Sequence, residues 1–384
     1  MKRNFLGYSV ALAAAALVLG SAPPTRGGEV NIIPVVTISG EWSDNVFFSS
    51  TDQQSDTFLL VNPGVSFDYA SKATALSLAY QVGFQRYTTF NERDNTVQRL
   101  DGTVGFNIGK GWKLNVGDNL VAANDPLAFD ASGDRVQRDS FVYNHFSPGL
   151  NYQFKGRDVF IEGKYDRVDV DYDTNIDSNQ SGFIGKIGTR LGAKSTARFE
   201  YIEFRRNFAQ ESQFVEDYRG RRLGLAMDRQ LNTRLAMRFA LGWEQRVFDK
   251  QNSPSNDFSS GVGGFELTGE FPGYFSVTGG ITRRLNDLAV EGVYTVDRFN
   301  LELRRTFADR MRASMDAFYQ KMKNDQMNEK ADYTGFSLKG EYLLAKFLNA
   351  YVGYEYLDRN STEGGIDAYT ENRINFGVTV SYGL

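Results

Sequence analysis

The feature that most constrains this chain is an alternation of apolar and polar residues with a period of two. Between 235 and 246, Leu235, Phe239 and Trp243 belong to a large apolar set, whereas Arg238 and Glu244 belong to the set between them. Successive side chains of a β-strand point to opposite faces, so this pattern predicts strands with one apolar and one polar face. A helical stripe repeats every 3.6 residues and cannot produce it.

The same alternation, bounded by turn residues, predicts about eighteen strands along the chain. They lie near 34–43, 57–70, 74–90, 96–109, 112–123, 140–154, 158–172, 179–190, 196–207, 216–228, 234–247, 258–271, 275–284, 290–305, 311–322, 332–344, 348–358 and 371–384. Alternation also fits a soluble β-sandwich, whose strands bury one face against a second sheet. The number of strands and the absence of a linker favour one large barrel.

The predicted connections alternate in length. Short turns are expected at positions such as 71–73 and 272–274, and longer polar loops at positions such as 125–138 and 358–370. Bacterial outer-membrane barrels have short periplasmic turns and long external loops, so both termini are expected in the periplasm. The prediction is an all-β, antiparallel, up-and-down transmembrane barrel of about eighteen strands, with sixteen as the alternative. Within 285–297 the apolar residues change from one set of alternating positions to the other, which predicts a bulge or a misplaced strand there.

The N-terminus has the pattern of a secretory signal. Lys2 and Arg3 precede an apolar stretch over 5–19, which is too short for a comfortable membrane-spanning helix and is followed by small residues and two prolines. We therefore predict a cleaved signal peptide over 1–22, with the cut between 22 and 28, and a single outer-membrane barrel domain over 29–384.

The composition excludes several classes of protein and site. The chain has no cysteine, which excludes disulfide frameworks and thiolate metal sites. Its net charge of −4 becomes −6 when Lys2 and Arg3 are removed, which argues against nucleic acid as a partner. The 38 glycines and the aromatic content of 14% are typical of membrane barrels, in which only every second strand residue needs to be apolar.

The last predicted strand carries Phe376, Val378, Val380 and Tyr382 on one face, and the chain ends at Leu384. This strand resembles the terminal strand by which outer-membrane barrels are recognised for assembly, although Leu384 stands where phenylalanine is usual. The resemblance implies the barrel assembly machinery as a partner. An outer-membrane location also implies contact with outer-membrane lipid and lipopolysaccharide.

Short motifs recur along the chain. DTFLLVNPGVSFDYA from Asp56 matches DSFVYNHFSPGLNYQF from Asp139, and a glycine pattern repeats at Gly105, Gly185 and Gly264. These glycines lie about eighty residues apart, which is the length of two hairpins. Together with the opening GEWSDNVFFSS at 40–50, the motifs resemble the β-barrel porin family often associated with exopolysaccharide gene sets.

The general strand pattern of the family resembles most of the mature chain, but the family's sequence motifs resemble only about forty of its residues. Ser43, between Trp42 and Asp44, departs from the family's opening pattern. The resemblance implies an outer-membrane location, a link to polysaccharide secretion, and exopolysaccharide export components as partners. It supplies no catalytic residues.

Charged side chains within the predicted strands fall mostly on the polar face, because an ionised group on the lipid face costs about 2–4 kcal/mol near the midplane. The candidate lumen-lining residues are Arg99, Asp101, Lys113, Arg222, Arg238, Glu244, Arg246, Glu266, Lys339, Glu341 and Glu355. Their mixed signs allow two interpretations. They line a hydrated pore, in which Arg222, Arg238 and Arg246 would favour anions, or they pair across the lumen and brace it.

Enzymatic chemistry has one candidate, His145, which lies two residues before Ser147 on the same predicted face and could act as its base. No nucleophile elbow or zinc-binding pair accompanies it, so a histidine near the rim of the barrel is the simpler interpretation. The acidic run of Asp166, Asp169, Asp171, Asp173 and Asp177 could hold calcium but lacks EF-hand spacing, and it fits a solvated loop.

The leading functional prediction is therefore a porin-like or secretion conduit, with exopolysaccharide as a candidate solute. The first alternative is a structural or assembly-associated barrel with a plugged lumen. The second alternative is an outer-membrane hydrolase that uses His145. The prediction is that the protein is not an enzyme and has no catalytic residues, cofactor or metal site.

Overall fold

The structure is a computed structural model that describes residues 28–123, 140–173, 176–210, 216–249, 257–288, 292–324, 329–363 and 368–382. The strands are β1 (Glu29–Ser43), β2 (Asp56–Ala70), β3 (Thr74–Tyr87), β4 (Asn95–Gly109), β5 (Trp112–Ala123), β6 (Phe141–Gln153), β7 (Val159–Tyr172), β8 (Ser178–Arg190), β9 (Ser195–Phe208), β10 (Tyr218–Gln230), β11 (Leu235–Phe248), β12 (Phe258–Phe271), β13 (Phe275–Leu288), β14 (Gly292–Phe307), β15 (Met311–Asn324), β16 (Glu329–Ala345), β17 (Leu348–Glu363) and β18 (Tyr369–Ser381). A short 3-10 helix, Asn91–Arg93, lies between β3 and β4.

The strands form one closed antiparallel barrel. Each strand pairs with its neighbours in sequence, and β1 also pairs with β18, from Val35 opposite Ser381 to Ser43 opposite Arg373. Closure of 18 strands at the usual tilt of about 40° gives a backbone radius of about 18 Å. The predicted barrel is confirmed with 18 strands rather than 16.

The barrel has an apolar outer face and a polar inner face. On β11, Phe239, Leu241 and Trp243 are exposed, whereas Glu244 and Arg246, on the opposite face, are buried. Residues directly opposite each other in an antiparallel ladder share a face, so the strand pairings extend this assignment around the barrel. The exposed apolar belt faces lipid, because a closed barrel leaves only its outer surface to the membrane.

The connections make the two ends of the barrel different. The turns that join β2 to β3 and β4 to β5 are short, and we call that end the short-turn end. The other end, the long-loop end, carries connections such as the one between β1 and β2. Strand β1 begins at the short-turn end, and strand β18 ends there. In the turn at 109–111 the φ angles are +92°, +53° and +92°, and a side chain on Gly111 would collide with the Gln153 carbonyl.

The two matching Pro-Gly segments form equivalent strands, β2 and β6. In each, the pairing with the following strand is interrupted at the proline, Pro63 or Pro148, and resumes at the next glycine. Proline has no N–H to donate, so the interruption is expected at these positions. The repeated glycines lie on β4, β8 and β12, but the pairings turn Gly185 outward and the other two inward.

The expected bulge or misplaced strand in 285–297 is wrong. β13 and β14 pair in unbroken register from Phe275 opposite Arg305 to Leu288 opposite Gly292. The pairing of β13 with β12 ends earlier, at Arg283, and beyond that point Leu285 and Val293 pack against Val262 on the inner face of β12. The alternation of apolar positions changes in 285–297 because this part of the hairpin folds inward and buries apolar residues on both of its faces.

Two predictions fall outside the described residues. The signal peptide over 1–22 and most of the interval for its cleavage belong to positions 1–27, and the predicted loop over 125–138 belongs to 124–139. These predictions remain untested by the structure. Among the described residues, no helix is long and apolar enough to cross a membrane.

Candidate functional site

The strand pairings place all of the candidate lumen residues on the inner face. They differ in burial. Arg99, Asp101, Lys113, Arg238, Glu266 and Lys339 remain exposed to solvent, and the last four of them lie in the short-turn half of their strands. Toward the long-loop end, Glu244 and Arg246 are buried, so the inner face becomes tightly packed at that end of the barrel.

Charges in the short-turn half form pairs, both between neighbouring strands and along one strand. The side chain of Asp228 binds Arg198 on one side and Arg238 on the other, with 2.9 Å to the Nε of Arg238, and Arg238 also lies 3.8 Å from Glu266. Lys339 pairs with Glu341 at 2.6 Å. Because most of these charges have an opposite partner beside them, this half of the lumen is polar but carries little net field.

The three arginines predicted to create a positive field do not act alike. Arg246 is 3% exposed and binds Glu244 through two nitrogens, at 3.0 Å and 2.9 Å, while Arg222 lies 3.9 Å from the same carboxylate. Arg246 also donates to the Leu285 carbonyl at 3.1 Å. Arg246 therefore braces the inward-folded part of the β13–β14 hairpin, and it does not present a free charge to solutes.

Glu355 and a neighbouring arginine form a second paired group at the seam between the first and last strands. Arg373 contacts Glu371 at 3.0 Å and Glu355 at 3.9 Å. Ser43, the last residue of β1, donates to Glu371 at 2.7 Å. These contacts tie β1, β17 and β18 together on the inner face.

The segment that follows β1 is the most informative part of the site. Asp44 accepts the backbone N–H of Asn372 at 2.8 Å and its side-chain amide at 2.6 Å. Asn45 is fully buried, donates to the carbonyls of Ser49 and Thr370 at 2.8 Å each, and accepts the Ser49 N–H at 2.9 Å. Three successive residues of β1 and its loop are therefore fastened to β18.

This fastening turns the β1–β2 loop into the lumen. Val46 is buried against Phe58 and Tyr87, which are inner-face residues of β2 and β3. The ring of Phe48 lies 5.2 Å from that of Tyr369, and Phe47 packs on Phe90 at 4.8 Å. The apolar residues of the SDNVFF motif thus seal part of the long-loop end from inside.

The loop packs against Phe58, Tyr87 and Tyr369, which belong to a ring of aromatic side chains that we call the aromatic collar. Each lies on the inner face, within the first or last five residues of its strand at the long-loop end. Its members are Phe58, Tyr87, Phe141, Tyr172, Phe208, Tyr218, Phe248, Phe258, Tyr294, Tyr333 and Tyr369. Tyr294 and Tyr333 join Val296, Met322 and Ala331 in a further buried cluster.

Sequence reasoning missed the aromatic collar, because it assigned every large apolar strand residue to the lipid face. A signal was present at the strand ends, where Phe58 and Leu59 are adjacent and large apolar residues occupy both faces. The opening motif was recognised only as a family resemblance, whereas the structure gives it a physical role in turning the loop inward.

The single histidine lies on the inner face of β6. Its Nε2 contacts the carboxylate of Asp166 at 2.8 Å, and that carboxylate also binds Lys164 at 3.0 Å. Within the described part of the chain, the ring of His145 is thus bonded to Asp166 and not to Ser147. The contact is a hydrogen bond within the lumen wall and does not include the nucleophile that a hydrolase needs.

The predicted acidic run does not form one cluster. Asp166 faces inward with His145, whereas Asp169 is on the outer face and binds Arg167 at 2.8 Å. Asp177 accepts the Tyr172 N–H at 2.6 Å. No group of three or more metal-ligating side chains occurs among the residues that the structure describes, so the carboxylates there are divided between separate contacts.

The closed 18-stranded sheet, its outward apolar belt and its charged inner face decide the class of fold. The chain is an outer-membrane β-barrel. OccK2 (OpdF) of Pseudomonas aeruginosa is similar with a TM-score of 0.54 and 9% identity over 91% of this chain and 98% of that chain. The outer membrane protein OpdK of the same organism has a TM-score of 0.51 and 9% identity over 92% and 99%.

The FrpB iron transporter of Neisseria meningitidis is also similar, with a TM-score of 0.51 and 8% identity over 92% of this chain and 81% of that chain. No protein-family model matches the sequence, and no curated protein matches it either. At such low identities the likeness establishes the barrel fold alone, and it leaves the solute open.

Proposed function

We propose that this protein is a porin-like conduit of the bacterial outer membrane, with its long loops outside and both termini in the periplasm. The observation that carries the proposal is the contrast along the inner face. Charged side chains such as Arg238 are solvent-exposed toward the short-turn end, whereas the long-loop end is narrowed by the β1–β2 loop and the aromatic collar. A barrel of this circumference encloses more space than its own side chains fill.

The paired charges of the lumen support passage of polar solutes with little discrimination by charge. Neutral or weakly charged carbohydrate, including exopolysaccharide, fits such a wall, because its hydroxyl groups can bond to the charged side chains without a strong field opposing passage. The opening motif that resembles exopolysaccharide-associated porins forms the narrowing loop. Exopolysaccharide export components are accordingly proposed partners, together with the barrel assembly machinery.

A plugged structural barrel is the second candidate. It is favoured by the buried clusters at the long-loop end, where Val296, Met322 and Tyr333 pack together on the inner face. An enzymatic role is not proposed, because the ring of His145 is held by Asp166. The two candidates differ in whether the narrowed end opens.

Planar-bilayer recording of the wild type and Asn45→Ala separates them. The loss of the three side-chain hydrogen bonds of Asn45 should release the loop and increase single-channel conductance, with a reversal potential near zero in both proteins. Asn107→Ala is the control, since Asn107 lies on the inner face near the short-turn end and its side-chain amide donates one exposed hydrogen bond, to the Lys72 carbonyl. If neither the wild type nor Asn45→Ala conducts, with folded protein in the bilayer, the barrel is plugged.

A further inference from the structure

The outer face of β9 and β10 carries three arginines at its long-loop end, Arg205, Arg219 and Arg221, which we call the arginine patch. They lie beyond the apolar belt of the same strands, which ends at Tyr201 on β9 and Leu223 on β10, and Glu203 lies between Tyr201 and Arg205. Arg205 stands directly opposite Arg219 in the ladder. Like charges directly opposite each other destabilise an antiparallel pair, so a bound anion would stabilise this arrangement.

The protein's own carboxylates neutralise only part of the patch. Asp249 binds Arg205 at 2.6 Å, and Glu203 binds Arg221 at 3.2 Å. Arg219 is exposed, and within the described residues no carboxylate lies within ion-pair distance of it. Among the described residues the patch thus retains one guanidinium without an ion pair, next to a second one that is already paired, and the charge of Arg219 acts on Glu203 only at longer range.

We propose that the arginine patch is a binding site for the phosphate groups of lipopolysaccharide in the outer leaflet. The planar guanidinium group binds phosphate through two parallel hydrogen bonds, and neighbouring arginines can share one phosphate. The patch lies where lipid headgroups meet the apolar belt, as the exposed indole of Trp243 opposite Leu223 indicates. The choice of lipopolysaccharide rests on the proposed orientation, which puts the long-loop end outside.

Arg219→Glu tests the site with opposite effects on folding and on binding. The new carboxylate would face Arg205, so the purified barrel in lipopolysaccharide-free detergent should melt at the same or a higher temperature than the wild type. Retention of lipopolysaccharide should fall about tenfold or more, because a charge-assisted contact is replaced by repulsion. Arg229→Glu is the matched control, since Arg229 lies on the same face of β10 at the short-turn end, beside Ser195 and Met237.

The measurement is bound lipopolysaccharide per barrel after reconstitution with lipopolysaccharide, alongside a parallel arm with phosphatidylglycerol. The proposal predicts a loss for Arg219→Glu but not for Arg229→Glu, and only in the lipopolysaccharide arm. Equal retention by all three proteins, or an equal loss of both lipids, would overturn it. Single-channel conductance tests the conduit separately. If the barrel conducts but Arg219→Glu retains as much lipopolysaccharide as the wild type, the binding site alone is refuted. If the barrel does not conduct but Arg219→Glu loses lipopolysaccharide, the conduit alone is refuted.

Discussion

Replacement of Arg246 by Gln should destabilise the barrel severely, although the arginine lies among polar groups. Arg246 is 3% exposed and Glu244 is 5% exposed, so the substitution leaves a carboxylate buried with only a distant partner, Arg222, at 3.9 Å. Removal of one member of a buried ion pair costs about 3–5 kcal/mol. Arg246 also lies over the ring of Tyr218 at 5.2 Å and bonds the Leu285 carbonyl, and both contacts are lost.

Arg238→Gln is the matched control for this change. Arg238 lies on the same strand and the same face, but its side chain is 64% exposed, so solvent screens its pairs with Asp228 and Glu266. A surface pair of this kind contributes about 0–1 kcal/mol. The melting temperature of Arg238→Gln should therefore stay close to that of the wild type.

The assay is the temperature at which the detergent-solubilised barrel loses its compact electrophoretic mobility. Arg246→Gln should melt well below the wild type, and the double variant Glu244→Gln with Arg246→Gln should recover most of the loss, because no buried charge remains unpaired. If Arg246→Gln and Arg238→Gln melt at the same temperature, or if the double variant is the least stable, the interpretation of Arg246 as a brace is wrong.

Two further predictions concern the outer face and the loop base. Phe239→Arg should reduce the yield of folded barrel far more than Arg238→Phe, since a charge on the lipid face costs about 2–4 kcal/mol near the midplane; equal yields would mean that the faces are reversed. Asp56 lies at the long-loop end, beyond the membrane; its burial raises its pKa, but the N–H groups of Phe90, Thr89 and Thr57 outweigh this and hold the pKa below its usual value. The stabilisation by this carboxylate should be complete above about pH 4 and be lost as the pH falls through the lowered pKa, so the difference in melting temperature between the wild type and Asp56→Asn should vanish in acid. A difference that does not change with pH would contradict it.

Most of the fold could be predicted because a transmembrane barrel restricts which residue types can occupy each strand position. Every backbone group must be paired in lipid, and every second residue must be apolar, so the strand predicted near 234–247 is found as β11, Leu235–Phe248. The failure at 285–297 has a physical cause. Where Leu285 folds inward, both faces of the hairpin become buried, and the alternation that identifies a lipid-facing strand no longer holds.

The candidate site could be predicted only in part, because alternation identifies the face of a residue and not its height in the barrel. Arg238 and Arg246 lie on the same face of one strand, yet one is solvent-exposed and the other is buried beneath a folded hairpin. Contacts between distant segments decide this difference. The hydrogen bond from Asn45 to the Thr370 carbonyl joins residues from opposite ends of the chain, and no local pattern encodes it.

The most direct test of the conduit is to tether the β1–β2 loop and record from the same channel. The chain has no cysteine, so Phe48→Cys with Tyr369→Cys places thiols only where the two rings now lie 5.2 Å apart. A short, reducible thiol cross-linker should then hold single-channel conductance at or below the wild-type level and suppress its fluctuations, and reduction should restore them. The same cross-linker should leave the wild type unaffected. Conductance that is identical before and after cross-linking, with the tether verified by mass spectrometry, would contradict a pore narrowed by this loop.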